Sequence, residues 1–204
     1  IVKKDTAILK YKKNIKILTS SPRRKYNIKS ILPDLLPMEI DSMSFSDIRG
    51  NIETRLNKFI SGDADIVLMA KVAIDRLMRS GNQNTINAIK EILYRTKWMI
   101  LPLSIFPTAP GQGAIAIEAR KNSLHLKDLI KPINALGTFE DVKKEKSILS
   151  QYGGGCHQKI GVSIWNARHV RMCSLIGETE DGGSLNTMGP LDKKPYDMVK
   201  KVSS

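Results

Sequence analysis

Ile15-Lys16-Ile17-Leu18-Thr19-Ser20-Ser21-Pro22-Arg23-Arg24 passes from a strand pattern to a helix start with almost no loop between. Residues 15–18 are short and apolar, Ser21 is a favoured N-cap, and Pro22 suits a first helical position, whose missing N–H has no intrahelical partner anyway. The predicted helix runs to about Leu32, before Pro33, with Tyr26, Ile28, Ile31 and Leu32 on its apolar side. Two further switches follow. Residues 38–45 read as a strand, and Asp47-Ile48-Arg49-Gly50-Asn51 turns into a helix capped by Asn51, with Ile52, Leu56, Phe59 and Ile60 at helical spacing. Residues 65–70 read as a buried strand leading into a helix that carries Ala73, Ile74, Leu77 and Met78. This alternation predicts an α/β domain with a largely parallel sheet.

Downstream the pattern changes. Residues 98–101 read as a strand, Pro102 and Pro107 punctuate, and Ala109-Pro110-Gly111-Gln112-Gly113 precedes a strand-like run at 114–118. Helices fit 124–130 and 138–152, the second with Phe139, Val142, Ile148 and Leu149 along one side. After Gly153-Gly154-Gly155-Cys156 come strands at 160–165, 170–177 and 184–188, the last two separated by the turn Asp181-Gly182-Gly183, with a closing helix from about Lys193. A small antiparallel sheet in a second, α+β module is the expectation.

The 204 residues suit one large domain or two small ones, and 41% apolar residues suffice for a core. The 33 Lys+Arg against 20 Asp+Glu leave a formal charge of +13, for which a solvated lysine-rich face, a nucleic-acid patch and a site for acidic small molecules compete. Aromatics at 5% and the absence of any zinc-finger, RNP-like or basic-zipper pattern speak against nucleic acid. No apolar run approaches the roughly 18 residues of a membrane span, and the opening IVKKDTAILKYKK has no signal-peptide core. Two cysteines make no disulfide framework, so a reducing compartment is expected.

Histidine catalysis and metal binding find little support, since His125, His157 and His169 lack ligand spacing to one another or to cysteine. Gly111-Gln112-Gly113-Ala114-Ile115-Ala116 follows a proline turn and leads into a strand-like run, which is the wrong context for a dinucleotide fingerprint. The arginines are more telling. Arg23 and Arg24 fall in the first turn of a helix, beside Ser20 and Ser21, where unpaired N–H groups and the positive dipole end already favour anions. Arg49 and Arg55 lie at the second strand-to-helix junction and Arg76 in the third helix, so several planar guanidinium forks can converge on carboxylates. Each taken singly is equally well a solubilising surface residue. Cys156 follows three glycines, a setting that suits a thiol carrying or attacking something, although a structural thiol fits the spacing too; Cys173 reads as an ordinary strand residue.

Thr19-Ser20-Ser21-Pro22-Arg23-Arg24, Ile48-Arg49-Gly50-Asn51-Ile52-Glu53-Thr54-Arg55-Leu56, Asp65-Ile66-Val67-Leu68, Arg76-Leu77, Pro110-Gly111-Gln112-Gly113-Ala114 and Gly154-Gly155-Cys156 with Ile160-Gly161, in this order, resemble the porphobilinogen deaminase (hydroxymethylbilane synthase) family. The resemblance implies a transferase of tetrapyrrole and haem biosynthesis that condenses four porphobilinogen units head to tail, releasing ammonia at each step. It also implies a dipyrromethane primer held by a thioether at Cys156 in the loop of Gly154 and Gly155, with Ser20, Ser21, Arg23, Arg24, Arg49 and Arg55 gripping pyrrole carboxylates and Arg76 facing the incoming or growing unit. The implied fold is a periplasmic-binding-protein-like α/β domain 2 over 1–101, with a crossing segment at 1–14, a return strand and helix of domain 1 at 102–121, and an α+β cofactor domain over 122–204. By the same resemblance the catalytic aspartate belongs to a Lys-Asp pair in a part of domain 1 not included here, so no catalytic residue is assigned on this chain and Lys4-Asp5 is not that pair. The last helix is likewise expected to continue past Ser204.

Partners so implied are porphobilinogen and the growing polypyrrole, with no nucleic acid, no membrane and a monomeric whole. The compartment is cytoplasmic, or plastid or mitochondrial in a eukaryote. Departures from the family pattern are Leu18, Ala73 and Ala116 in place of glycines, Gly153 for an acidic residue and Lys159 for a proline. Leu or Ala would be strained wherever the backbone needed a positive φ. The competing readings are a non-catalytic carboxylate- or pyrrole-binding remnant and, further off, a basic nucleic-acid binder.

Overall fold

The computed structural model describes residues 1–3, 13–36, 39–120, 122–153, 155 and 157–191. Lys4, Asp5, Met38, Gly154, Cys156 and the expected helix from about Lys193 lie outside these. The chain divides into two compact units, Ile1–Pro102 and Leu103–Ser204.

The first unit is built on a five-stranded sheet of β1 (Val2–Lys3), β2 (Asn14–Leu18), β3 (Ser42–Ser46), β4 (Ile66–Val67) and β5 (Thr96–Lys97), in the order β3-β2-β4-β1-β5. β2 runs parallel to β3 and β4, whereas β1 is antiparallel to both β4 and β5, so the sheet is mixed. The alternating segments supply α1 (Pro22–Leu35), α2 (Ile52–Ser61), α3 (Lys71–Met78) and α4 (Gln83–Tyr94). Ile15 and Ile17 of β2, Ile28 and Leu32 of α1, Leu56 and Phe59 of α2 and Ile89 of α4 are almost wholly withdrawn from water. Each such side chain contributes about 1.5–3 kcal/mol of transfer free energy.

Three local features depart from the sequence reading. α1 continues through Pro33 to Leu35, because a proline in the last turn deletes a single backbone donor and the helix is closed by Leu36 N–H donating to Leu32 O at 3.2 Å. α4 had no counterpart in the sequence reading, although Asn82 caps it by accepting from Thr85 N–H at 3.2 Å and Ile89 and Ile92 face the core. The edge strand is Thr96–Lys97, starting two residues earlier than expected; 98–101 is irregular, with Trp98 and Ile100 exposed.

In the second unit, α5 (Leu124–Ile130), a single 3-10 turn (Lys131–Ile133) and α6 (Leu136–Ser150) precede an antiparallel meander of β6 (Gly161–Ala167), β7 (Val170–Glu178) and β8 (Ser184–Pro190). Ile148, Ile160, Val162, Ile164, Cys173, Leu175 and Leu185 form its core, with Tyr152 packed against them. Residues 102–121, expected as a return strand and helix, form neither among those described. Their first half is bonded to β6 and β7 instead: Val162 N–H donates to Thr108 O at 2.9 Å, Thr108 N–H to Ser163 Oγ at 2.8 Å, and Ser174 Oγ of β7 to Leu103 O at 2.6 Å. Gly161 permits this approach, since a Cβ there would stand 2.6 Å from Pro107 O.

Among the described residues Arg168, in the β6–β7 turn, alone of the non-glycine residues has a positive φ, at 56°. Leu18, Ala73 and Ala116 therefore sit in ordinary backbone, and the strain expected of them does not arise.

Candidate functional site

β2, β3 and β4 end level, because Leu18 stands opposite Ser46 on one flank and Val67 on the other. The pairing carries one residue past the sheet, with Thr19 N–H donating to Ser46 O at 3.0 Å and Leu68 N–H to Leu18 O at 3.2 Å. α1, α2 and α3 begin at Pro22, Ile52 and Lys71, so three helix N-termini gather at one carboxyl edge. The order of strand addition also switches sides at β2, with β3 laid on one flank and β4 on the other. Such switch points are where open α/β sheets take ligands, and helix N-termini favour anionic ones.

The guanidiniums of this edge lie close together. Arg23, the second residue of α1, is 5% exposed, and burial, then the neighbouring charge of Arg24, pushes its pKa down to about 10. Arg24 is half-buried; burial and then the charge of Arg55 lower its pKa. Arg24 Nη1 donates to Leu68 O at 3.1 Å, tying α1 to the end of β4, while Arg55 Nε donates to Gly50 O at 2.7 Å. These side chains thus hold repelling charges in place by bonds to main-chain carbonyls. A guest carrying carboxylates relieves that repulsion and matches the forked donors.

The remaining expected residues divide. Ser20 Oγ donates to Ile48 O at 2.9 Å and accepts from Ile48 N–H at 2.8 Å. Its single proton is used on the β3–α2 loop, so in this arrangement it fixes the loop and cannot also donate to a carboxylate. Ser21 caps α1, its Oγ accepting from Arg24 N–H at 3.4 Å, and a hydroxyl that accepts keeps its own proton to give. Arg49 is exposed on the same loop. Arg76 is exposed in the last turn of α3, at the end away from the strand edge. Gly155 is exposed with φ +113°, and its neighbours Gly154 and Cys156 lie outside the described residues.

Sequence reading missed two residues near the edge. Lys25 Nζ on α1 pairs with Asp47 of the β3–α2 loop at 2.9 Å, and the hydrogen bond from Lys25 holds that carboxyl below its ordinary range. Asn27, one turn after Arg23 on the same helix, is fully buried, with both amide atoms lacking a hydrogen-bond partner among the described residues. Only the four-residue spacing from Arg23 could have flagged it.

In the second unit Glu145 is 8% exposed, and Cys173 is 4% exposed with its thiol pushed up to about 11 by burial and by the charge of Glu145. Such a thiol is a poor nucleophile at neutral pH. Among the described residues no group of three His, Cys, Asp or Glu side chains is placed to hold a metal ion, and no helix is long and apolar enough to cross a membrane.

Residues 1–128 match the family model described as porphobilinogen deaminase, dipyromethane cofactor binding domain. A porphobilinogen deaminase of Chlorobium phaeovibrioides is 35% identical over 161 residues, 79% of this chain and 44% of that protein. A probable porphobilinogen deaminase of Picrophilus torridus is 38% identical over 144 residues, 71% of the chain and 43% of the relative. The porphobilinogen deaminase of Chlorobium luteolum is 32% identical over 181 residues, covering 88% and 51%. The chain therefore spans about half the length of these relatives. The match to the family model includes the arginine edge and stops short of Cys156.

Proposed function

The chain belongs to the porphobilinogen deaminase family, and on that premise we propose that it carries the carboxylate-gripping and cofactor-holding parts of a hydroxymethylbilane synthase. That transferase joins four porphobilinogen units head to tail and releases ammonia at each step, in the service of tetrapyrrole and haem synthesis. The observation that carries the reading is the crowding of Arg23, Arg24 and Arg55 at the level ends of β2, β3 and β4. Each pyrrole unit bears an acetate and a propionate, so a short polypyrrole is densely anionic. Two unit charges about 4 Å apart attract by about 4 kcal/mol at the effective dielectric of a protein surface, enough for a few such contacts to fix a guest.

The donor set fits a dipyrromethane. Arg23, Arg24 and Arg55 would hold its carboxylates, Arg49 and the Ser21 hydroxyl would close on it from the neighbouring loops, and Ser20 would keep the β3–α2 loop in position. Cys156 would hold the group covalently, with Gly154 and Gly155 giving room beside it, while Cys173 stays inert in the core. Arg76 would meet the incoming or growing unit. When bound, the group supplies a primer ring with a free nucleophilic α-position. The finer arrangement that goes with this reading is an α/β domain 2 over 1–101 with its crossing segment at 1–14, a return segment at 102–121 and a cofactor domain over 122–204. The carboxylate that must handle protons in the reaction is assigned to no residue of this chain.

Intact-mass and peptide-mass measurement of the full-length protein tests the reading. A dipyrromethane adduct on the peptide containing Cys156, with the aldehyde colour reaction of a pyrrole, is expected. Unmodified Cys156 in protein supplied with porphobilinogen contradicts it.

A further inference from the structure

Lys58 stands in the last turn of α2, where a cation ordinarily sits best beside the negative, carboxyl end of the helix dipole. Its side chain runs the other way. Long helical side chains lean toward the helix N-terminus, and Lys58 Nζ donates to Arg49 O at 3.3 Å, on the loop that precedes α2. Arg55, one turn earlier, donates to the next carbonyl of that loop, Gly50 O, at 2.7 Å. A further positive charge is thus brought to an edge that already holds Arg23, Arg24 and Arg55, which stability alone would not favour. The loop's own carboxylate, Asp47, is paired with Lys25 at 2.9 Å, and the charge of Arg49 is the weakest influence on it. Of the three ammonium donors of Lys58 one is used; neither the other two nor the exposed Arg49 guanidinium has a hydrogen bond or ion pair among the described residues.

We infer that Lys58 is a further binding residue: with Arg49 it forms an outer carboxylate subsite on the exposed lip of the arginine edge, and it thereby selects guests with two carboxylates over guests with one. The inference rests on the reading of Arg23, Arg24 and Arg55 as the inner grip. Those three are buried or half-buried, and Arg24 and Arg55 each use a donor on a main-chain carbonyl, whereas Lys58 and Arg49 are exposed with donors to spare. The acetate and propionate of one pyrrole stand on neighbouring ring carbons. Arg55 and Lys58 stand three residues apart on α2, about 5–6 Å between Cβ atoms. A pyrrole with one carboxylate on the inner set therefore carries the other within reach of the lip. An ammonium is a compact charge on a flexible stem, suited to follow that second carboxylate as the unit turns, where a guanidinium demands a fixed fork.

Calorimetric titration of the chain with porphobilinogen, and with pyrroles carrying the acetate or the propionate alone, tests this at constant ionic strength. Lys58→Met is expected to weaken porphobilinogen binding by about fivefold, the size of one exposed charge contact, while leaving the affinity of the tighter-binding monocarboxylate unchanged. Lys58→Arg, which keeps the charge and the donors, should bind porphobilinogen as wild type does. Lys90→Met makes the same change in net charge at exposed Lys90 of α4 and should leave both affinities alone. Tm should hold in all three, because both lysines are exposed. A loss of equal size on both kinds of guest, or no loss on porphobilinogen in Lys58→Met, would overturn the inference. Arg24→Leu, titrated alongside, shows whether the inner grip falls with it: weakened binding there beside unchanged binding in Lys58→Met removes the outer subsite alone. The mass measurement on Cys156 is untouched by either result.

Discussion

Arg23 in the first unit and Glu145 in the second are buried to nearly the same degree, 5% and 8% exposed, yet their surroundings differ. Glu145 is answered by the fold: its Oε2 accepts Gly111 N–H at 2.7 Å and its Oε1 accepts Ile164 N–H at 2.8 Å, locking the 110–113 turn, α6 and β6 together. Arg23 has the charge of Arg24 beside it, and Arg24 has that of Arg55. A buried carboxylate with both oxygens satisfied by main-chain donors is scaffold. Buried and half-buried cations kept within range of one another are stabilised further when a guest of opposite charge arrives.

Removing Glu145 is the harshest way to probe this contrast. Glu145→Ala leaves one buried and one half-buried N–H group without acceptors and is expected to destabilise the second unit by about 3 kcal/mol, read by denaturant unfolding, whereas a near-zero change would deny it a scaffold role. Glu145→Gln is milder, since one N–H then faces an amide donor; a loss of about 2 kcal/mol is expected. It also changes the pH response. Burial raises the folded pKa of Glu145 above its ordinary 4.5. The folded state therefore takes up a proton before the unfolded state as pH falls. The contribution of this group is fullest below 4.5 and is lost as pH rises through the raised folded value. The wild-type advantage over Glu145→Gln should accordingly shrink between acid and neutral pH, and an advantage that grows would reverse the sign.

In the first unit, Ser20→Ala should cost about 1 kcal/mol by orphaning Ile48 N–H, and should loosen the β3–α2 loop without abolishing anion binding. If it abolishes binding at unchanged stability, Ser20 touches the guest directly. Smallest of all, Lys25→Ala breaks only the exposed pair with Asp47, and Tm should not move measurably.

Most of the first unit was legible because its signals are local: Ser21, Asn51 and the apolar spacings mark where α1 and α2 begin, and the structure places those caps as read. The overrun at Pro33 and the shift of the edge strand to Thr96–Lys97 were not legible, since both depend on what packs nearby and the local dihedral preferences tolerate either outcome. Level strand ends, and hence the gathering of Arg23, Arg24 and Arg55, follow from pairing register, to which single residues give no clue. The engagement of Ser20 with Ile48 and the satisfied state of Glu145 are likewise partnerships across 28, 34 and 19 residues of chain. Sequence named the groups able to hold an anion. Which of them are already committed to the fold emerged only from the contacts.

Titration of porphobilinogen into the chain at constant ionic strength, wild type against Arg24→Leu, tests the arginine edge most directly. The account predicts that Arg24→Leu weakens binding by about tenfold or more, the value of one charged contact, while Tm shifts little, because losing the bond to Leu68 O is offset by relief of the repulsion with Arg55. Equal affinity in the two proteins, or affinity lost only in step with unfolding, would contradict it.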